Sequence, residues 1–175
     1  MFSKPRSYWK IIEYVVLTLV CFLLQSVPAF GVRFLGCAPS LLLLLAIGVA
    51  FFENCRFSAW FGLAMGLLSQ FTTASIVGLD AIFFMFASYF ISAALEVFLQ
   101  RNFLIYMYVS LAAVALQQLL DYLYHLLIWS RMPFGIALTG QILPTFFFTG
   151  ICAFPLYGIL NHFDRKFQKD EEDLA

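Results

Sequence analysis

A bundle of about six membrane-spanning helices, all-α and with both termini cytoplasmic, is the fold class this sequence predicts, and three observations predict it. The first is composition: 63% of the residues are hydrophobic and 11% charged, whereas a soluble domain carries about 45–50% apolar and about 25% charged residues. Polar groups cannot cover such a surface, so its solvent must be lipid. The second is where the charges sit. Ten Lys and Arg stand against ten Asp and Glu, and twelve of these twenty fall in residues 1–13 and 164–175, leaving eight in the 150 residues between. The third is length, since a span takes about 20 residues and 150 with short loops hold about six. Residues 1–163 are therefore expected to form the membrane domain and 164–175 a charged cytoplasmic tail.

The first apolar run, residues 11–27, follows Tyr8 and Trp9 at interfacial depth and Lys4, Arg6 and Lys10. Val27-Pro28-Ala29 also resembles a signal-peptide cleavage site. The run is longer than a signal core, and cleavage would remove a helix from a chain with little else to pack against, so a retained anchor is the preferred reading. Residues 39–52 and 57–71 form two shorter runs parted by Glu53-Asn54-Cys55-Arg56. They read as two thin spans or as a hairpin that dips in and returns. The hairpin would hold Glu53 and Arg56 near mid-membrane, where a central Arg costs roughly 2.5 kcal/mol or more on insertion scales. Two spans are preferred, with bilayer thinning taking up their shortness. Residues 80–98 make the fourth span, Phe103–Trp129 a long fifth and 140–160 the sixth, where Pro144 and Pro155 predict a kink.

Orientation follows from the basic residues. With both termini inside, Lys4, Arg6, Lys10, Arg56, Arg101, Arg165, Lys166 and Lys169 are cytoplasmic, and Arg33 and Arg131 are outside. Eight against two obeys the positive-inside rule. The tail ends in Asp170-Glu171-Glu172-Asp173 and is expected to be frayed and solvated.

Spans associate through close backbone approach, which needs small residues on one face. Gly62 and Gly66 form a GxxxG in the third span, with Ala59 and Ser69 extending the stripe. Ala46 and Ala50 in the second span, and Ser88 and Ser92 in the fourth, have the same spacing. These helix-packing residues suit internal seams first and a partner protein second. In the fifth span Gln117, Asp121 and His125 recur every four residues and share a face. Polar groups within a span are a functional hypothesis by default. Here three readings stand: internal bonding or interfacial wetting, docking of a partner helix, or a ligand or proton path. Asp80, after Thr72-Thr73-Ala74-Ser75 and Gly78, reads as the cap of the fourth span. Glu13 and Glu96 stand near cytoplasmic ends beside Lys10 and Arg101.

Several functions are not expected. A net charge of zero gives nucleic acid nothing to bind. Cys21, Cys37, Cys55 and Cys152 lack the spacing of a metal site or a disulfide framework. No nucleophile, base and orienter can be assembled, and His125 and His162 fall on opposite sides of the membrane. The expectation is a protein without enzymatic activity, cofactor or metal, whose first partner is membrane lipid.

A family resemblance rests on particular residues. Gly36-Cys37-Ala38-Pro39 running into Ser40-Leu41-Leu42-Leu43-Leu44-Leu45 resembles the loop and leucine-rich second span of the MreD family of bacterial rod-shape-determining membrane proteins. Gly62-Leu63-Ala64-Met65-Gly66-Leu67-Leu68, then Gly78-Leu79-Asp80-Ala81 and Ser88-Tyr89, are similar to its third span, outer turn and fourth span. Leu143-Pro144 and Phe154-Pro155-Leu156-Tyr157 ahead of a charged tail complete the likeness. The chain departs from the pattern at Gln70, where the family usually has an acidic residue, and at Asp80, where asparagine is common. No role of an acidic group at the end of the third span carries over.

The resemblance implies a non-catalytic scaffold of the bacterial cell-elongation machinery in the cytoplasmic (inner) membrane. It would organise peptidoglycan synthesis with MreC and, through it, MreB, RodA and a class B penicillin-binding protein. The alternative is the substrate-binding membrane subunit of a vitamin-type transporter. The six-span substrate-binding components of energy-coupling-factor transporters share this size and architecture, so fold alone does not separate the two.

Overall fold

The computed structural model describes residues 8–26, 39–71, 78–97, 102–129 and 143–172. Within them the chain is all helical: α1 (Tyr8–Ser26), α2 (Leu41–Phe52), α3 (Cys55–Ser69), α4 (Leu79–Val97), α5 (Phe103–Trp129) and α6 (Leu143–Glu172). The apolar runs become helices because, Pro155 apart, they hold no proline that the backbone cannot place at an end. Pro144 falls in the first turn of α6, where its missing N–H is not needed. Pro155 lies inside α6, which nonetheless continues as one helix. Gly78 takes a left-handed φ of 103° just before α4, a conformation L side chains rarely adopt. The segments carrying Arg33 and Arg131, residues 72–77, Arg101, and the Val27-Pro28-Ala29 and Gly36-Cys37-Ala38 stretches lie outside the described residues.

Successive helices run in alternating directions, and side-chain contacts show it. At the end where α1 begins, Tyr14 packs on Phe57 and Phe61 of α3, with ring centroids 6.4 and 6.0 Å apart. Its hydroxyl donates to Glu53 Oε1 across 3.4 Å. The Ser92 hydroxyl, late in α4, donates to the Glu53 carbonyl at 2.9 Å. Early α5 and late α6 meet there too: Phe51 and Tyr106 stack edge to face at 5.4 Å, and Tyr157 lies 5.1 Å from Phe103 and 6.1 Å from Phe52. We call this the near end. The far end gathers Ser40, Ser69, Asp80 and Thr149, so α1, α3 and α5 rise toward it and α2, α4 and α6 descend from it.

Helix α2 is the centre of this bundle. Every residue of Leu41–Phe51 is buried, with the apolar side chains between 0 and 6% exposed. At twelve residues it is about 18 Å long, well short of the roughly 30 Å apolar layer of a bilayer. The second apolar run, expected as a thin span, is thus a short helix surrounded by the others. A helix that is apolar all round suits either a protein core or lipid. The helices packed around α2, chiefly α3, α4 and α6, decide for the core.

The outer helices carry the complementary surface. On α1 the large side chains from Ile11 to Leu24 that face away from the bundle are 36–54% exposed, and all are apolar. Phe86, Phe90, Leu104, Phe147 and Ile151 continue this surface on α4, α5 and α6. Three described segments, Leu79–Val97, Phe103–Leu123 and Leu143–His162, are long and apolar enough to cross a membrane. Apolar outside and small or polar at the seams is the arrangement of a helical membrane protein. One further expectation is corrected at the chain's end: the backbone stays helical to Glu172, where the charge pattern had suggested a frayed tail.

Candidate functional site

The closest helix pair is α3 with α4, and small residues explain it. A Cβ on Gly62 would lie 2.5 Å from Ser88 Oγ and 2.6 Å from the Phe84 carbonyl oxygen. On Gly66 it would run into Ala81 Cα and stand 2.6 Å from the Asp80 carbonyl oxygen. The helices meet where side chains are missing. Hydrogen bonds close the seam at each end. Ser58 donates to the Ser88 carbonyl at 3.2 Å, and Ser92 reaches the Glu53 carbonyl. At the far end the Ser69 hydroxyl donates to the Gly66 carbonyl at 2.8 Å and lies 3.5 Å from Asp80 Oδ2.

Ser58, Gly62, Met65, Gly66 and Ser69 are the buried residues of α3. The stripe therefore extends through Ser58, and Ala59, which the spacing had suggested, is only half-buried. Ser88 and Ser92 are buried against α3 and are not available to a partner helix. Ala46 and Ala50 are buried like their neighbours in α2, so burial alone assigns them no seam. The position of close approach in α2 is Gly48, where a Cβ would meet Leu160 Cδ1 and lie 3.7 Å from the Tyr106 hydroxyl.

Asp80 occupies the first turn of α4 and is 3% exposed. A carboxylate there faces the free amides and positive end of the helix dipole, which is where burial of a negative charge costs least. At the near end Cys55 opens α3, ahead of its apolar stretch. A hydrogen bond to the Glu96 carboxylate, which holds the proton on sulfur, raises the thiol above its usual range, with partial desolvation adding to the effect.

The polar stripe of α5 divides. Gln117 is 8% exposed and its Oε1 is buried without a hydrogen-bond partner. Asp121 is half-buried and has a partner interaction. His125 continues the helix, and its side chain lies outside the described residues. The inward face of α5 is Tyr106, Ser110, Ala113, Val114 and Gln117. Tyr106 fixes its register by donating to the Leu44 carbonyl of α2 at 3.3 Å. Ser110 and Tyr106 stand seven and eleven residues before Gln117 and share its face by spacing, but Tyr and Ser in a span are unremarkable, so the sequence did not single them out.

The far end also has a link the sequence did not suggest. The backbone amide of Ser40 donates to Thr149 Oγ1 at 3.3 Å, and that hydroxyl donates to the Thr145 carbonyl at 2.6 Å. Thr149 thus anchors the start of α2 to α6. No group of three or more His, Cys, Asp and Glu side chains that could hold a metal occurs among the described residues. Comparison with protein-family models, with curated proteins and with solved structures finds no match to this chain.

Proposed function

We propose that this protein is a non-catalytic membrane scaffold of the bacterial cell-elongation machinery, of the MreD type, working with MreC in the cytoplasmic membrane. The observation that carries the reading is a coincidence of residues. The stretches that resemble the MreD family in the middle of the chain, Gly62 to Leu68, Gly78 to Ala81 and Ser88, are those that build the α3–α4 seam, its left-handed glycine and its buried serine. The likeness therefore lies in positions whose size and conformation hold the helices together, and not in apolar filler that any span could share.

The topology proposed with it has six membrane-crossing segments and both termini in the cytoplasm, α2 and α3 forming the short central pair. Charge supports the near end as the cytoplasmic one. Lys10, Glu13, Glu53, Arg56 and Glu96 are there, and α6 runs on past it through the charged residues 164–172. Among the described residues the far end carries only Asp80 and Asp121. A scaffold of this shape has short connections and offers partners its apolar helix faces, so docking takes place within the membrane.

The test is depletion in the native rod-shaped cell, with affinity purification of the tagged protein. Loss of rod shape together with recovery of MreC is the expected result. Cells that keep their shape, with no MreC recovered, remove this reading and leave the transport alternative.

A further inference from the structure

We infer that the helical extension of α6 past the near end of the bundle is a docking surface for anionic phospholipid headgroups, carried by Arg165, Lys166 and Lys169. The inference rests on α6 crossing a membrane and is independent of the scaffold proposal. Two observations carry it: the side of α6 on which these residues fall, and their depth.

The side follows from the register of one continuous helix. Thr145, Thr149, Ala153, Leu156 and Leu160 are the buried residues of α6, at helical intervals. On the opposite side Phe147, Ile151 and Phe154 are 65–68% exposed, and no atom lies within 4 Å of a Cβ built on Gly158. His162 is exposed on that same side, so the register holds beyond Pro155. Phe147, Ile151, Phe154, Gly158 and His162 advance by steps of four, three, four and four residues. The next steps, of three and four, reach Arg165 and Lys169, and Lys166 stands four residues after His162. The buried stripe continues instead to Phe163 and Phe167, with Asp164 and Glu171 on its side. Helical backbone as far as Glu172 makes this arrangement; in a frayed tail the three basic residues would share no face.

Depth follows from the rise of the helix. The apolar segment of α6 ends at His162. Lys169 stands seven residues further on, about 10 Å along the axis, and the headgroup layer is about 5–8 Å thick on each side of the hydrocarbon. Arg and Lys carry their charge on long flexible stems, which lets it settle at that level. The side of α6 that meets lipid tails within the span therefore meets headgroups at the near end, and there it is basic. A zwitterionic headgroup brings its own ammonium and gains little, whereas an anionic one leaves its phosphate charge for guanidinium and ammonium groups. An acidic protein arriving from the water would first meet Asp170, Glu171 and Glu172, which lie farther out and repel it. The other acidic residues of the near end, Glu13, Glu53 and Glu96, belong to other parts of the bundle, so the preference is local to α6.

The experiment uses the full-length protein reconstituted in phosphatidylcholine vesicles. These contain a small fraction of phosphatidylglycerol with a diazirine near the glycerol end of one chain or, in a parallel sample, phosphatidylcholine with the same chain. After photolysis, phosphatidylglycerol adducts on peptides covering residues 154–169 are expected to exceed phosphatidylcholine adducts about fivefold at low salt, and by less than about twofold in about 1 M salt. Replacing all three basic residues, Arg165→Gln, Lys166→Gln and Lys169→Gln, is expected to remove the excess, while Asp170→Asn with Glu171→Gln keeps it. Should the triple variant fail to insert, the salt comparison on the unaltered protein decides. Equal yields from the two lipids at low salt, an excess untouched by salt or by the triple variant, or an excess confined to peptides around Lys10 and Arg56 overturns the inference.

Discussion

Replacing Gly66 with Ala adds one methyl group at the point where α3 and α4 come closest. That methyl carbon would lie 2.6 Å from the Asp80 carbonyl oxygen and 2.8 Å from the Ala81 nitrogen, with Ala81 Cα in the same space. All three neighbours are backbone atoms, so no side chain can rotate away. Ordinary contact begins at about 3.5 Å, so the helices must separate locally by about 1 Å. Separation also loosens the Ser58 and Ser69 contacts that flank the seam. Overpacking a tight site costs about 1–3 kcal/mol, and with no flexible neighbour the upper part of that range is expected, about 2–3 kcal/mol.

Gly158 supplies the control. No atom lies within 4 Å of a Cβ built there, so Gly158→Ala removes only glycine's helix penalty and is expected to stabilise by about 0.5–1 kcal/mol. Reversible unfolding in mixed micelles with increasing denaturing detergent measures both. A Gly66→Ala variant as stable as the parent, or a Gly158→Ala variant destabilised to the same degree, would refute the backbone-contact argument.

Other predictions follow from the same contacts. Leu45→Ala, in the buried centre of α2, is expected to cost about 2–4 kcal/mol through the cavity it leaves, whereas Leu23→Ala, at a position 54% exposed on α1, should stay within about 0.5 kcal/mol. Equal losses in the unfolding assay would show that α2 is not the core. Tyr106→Phe removes the hydroxyl that donates to the Leu44 carbonyl and is expected to cost about 1 kcal/mol, since that carbonyl keeps its helical bond. A cost near zero in the same assay would place the hydroxyl elsewhere. In a variant retaining Cys55 as its only cysteine, the raised thiol pKa means that thiolate, and with it maleimide labelling, increases only as pH climbs past the usual thiol range. Glu96→Gln removes the carboxylate that holds the proton and should speed labelling at pH 8; an unchanged pH profile would remove the Cys55–Glu96 contact. On intact spheroplasts, an impermeant reagent added outside should not reach a single cysteine at position 56, and labelling there would contradict the proposed topology.

The sequence by itself determined the helical class, the apolar character of the outer surface and most limits of the six described helices. Apolar runs broken only at Glu53-Asn54 or at glycine, proline and charged clusters leave the backbone little choice but to bond to itself within each run. It also marked Gly62 and Gly66, because a missing Cβ at helical spacing is visible in one dimension. Only the tertiary structure decided which helix is central. The run of α2 is apolar on every side, and the free energy of surrounding such a helix with side chains or with lipid tails differs by packing alone. Nothing in the order of Leu41-Leu42-Leu43-Leu44-Leu45 encodes that choice; it depends on Tyr106, Leu160 and the α3–α4 pair arriving from elsewhere in the chain. The same holds for polar groups. Ser88 and Gln117 read alike as polar residues in spans, but whether such a group faces a neighbouring backbone, a lipid or an unfilled partner is set by which helix packs beside it. Periodicity gives a residue's angle on its own helix and says nothing of that neighbour.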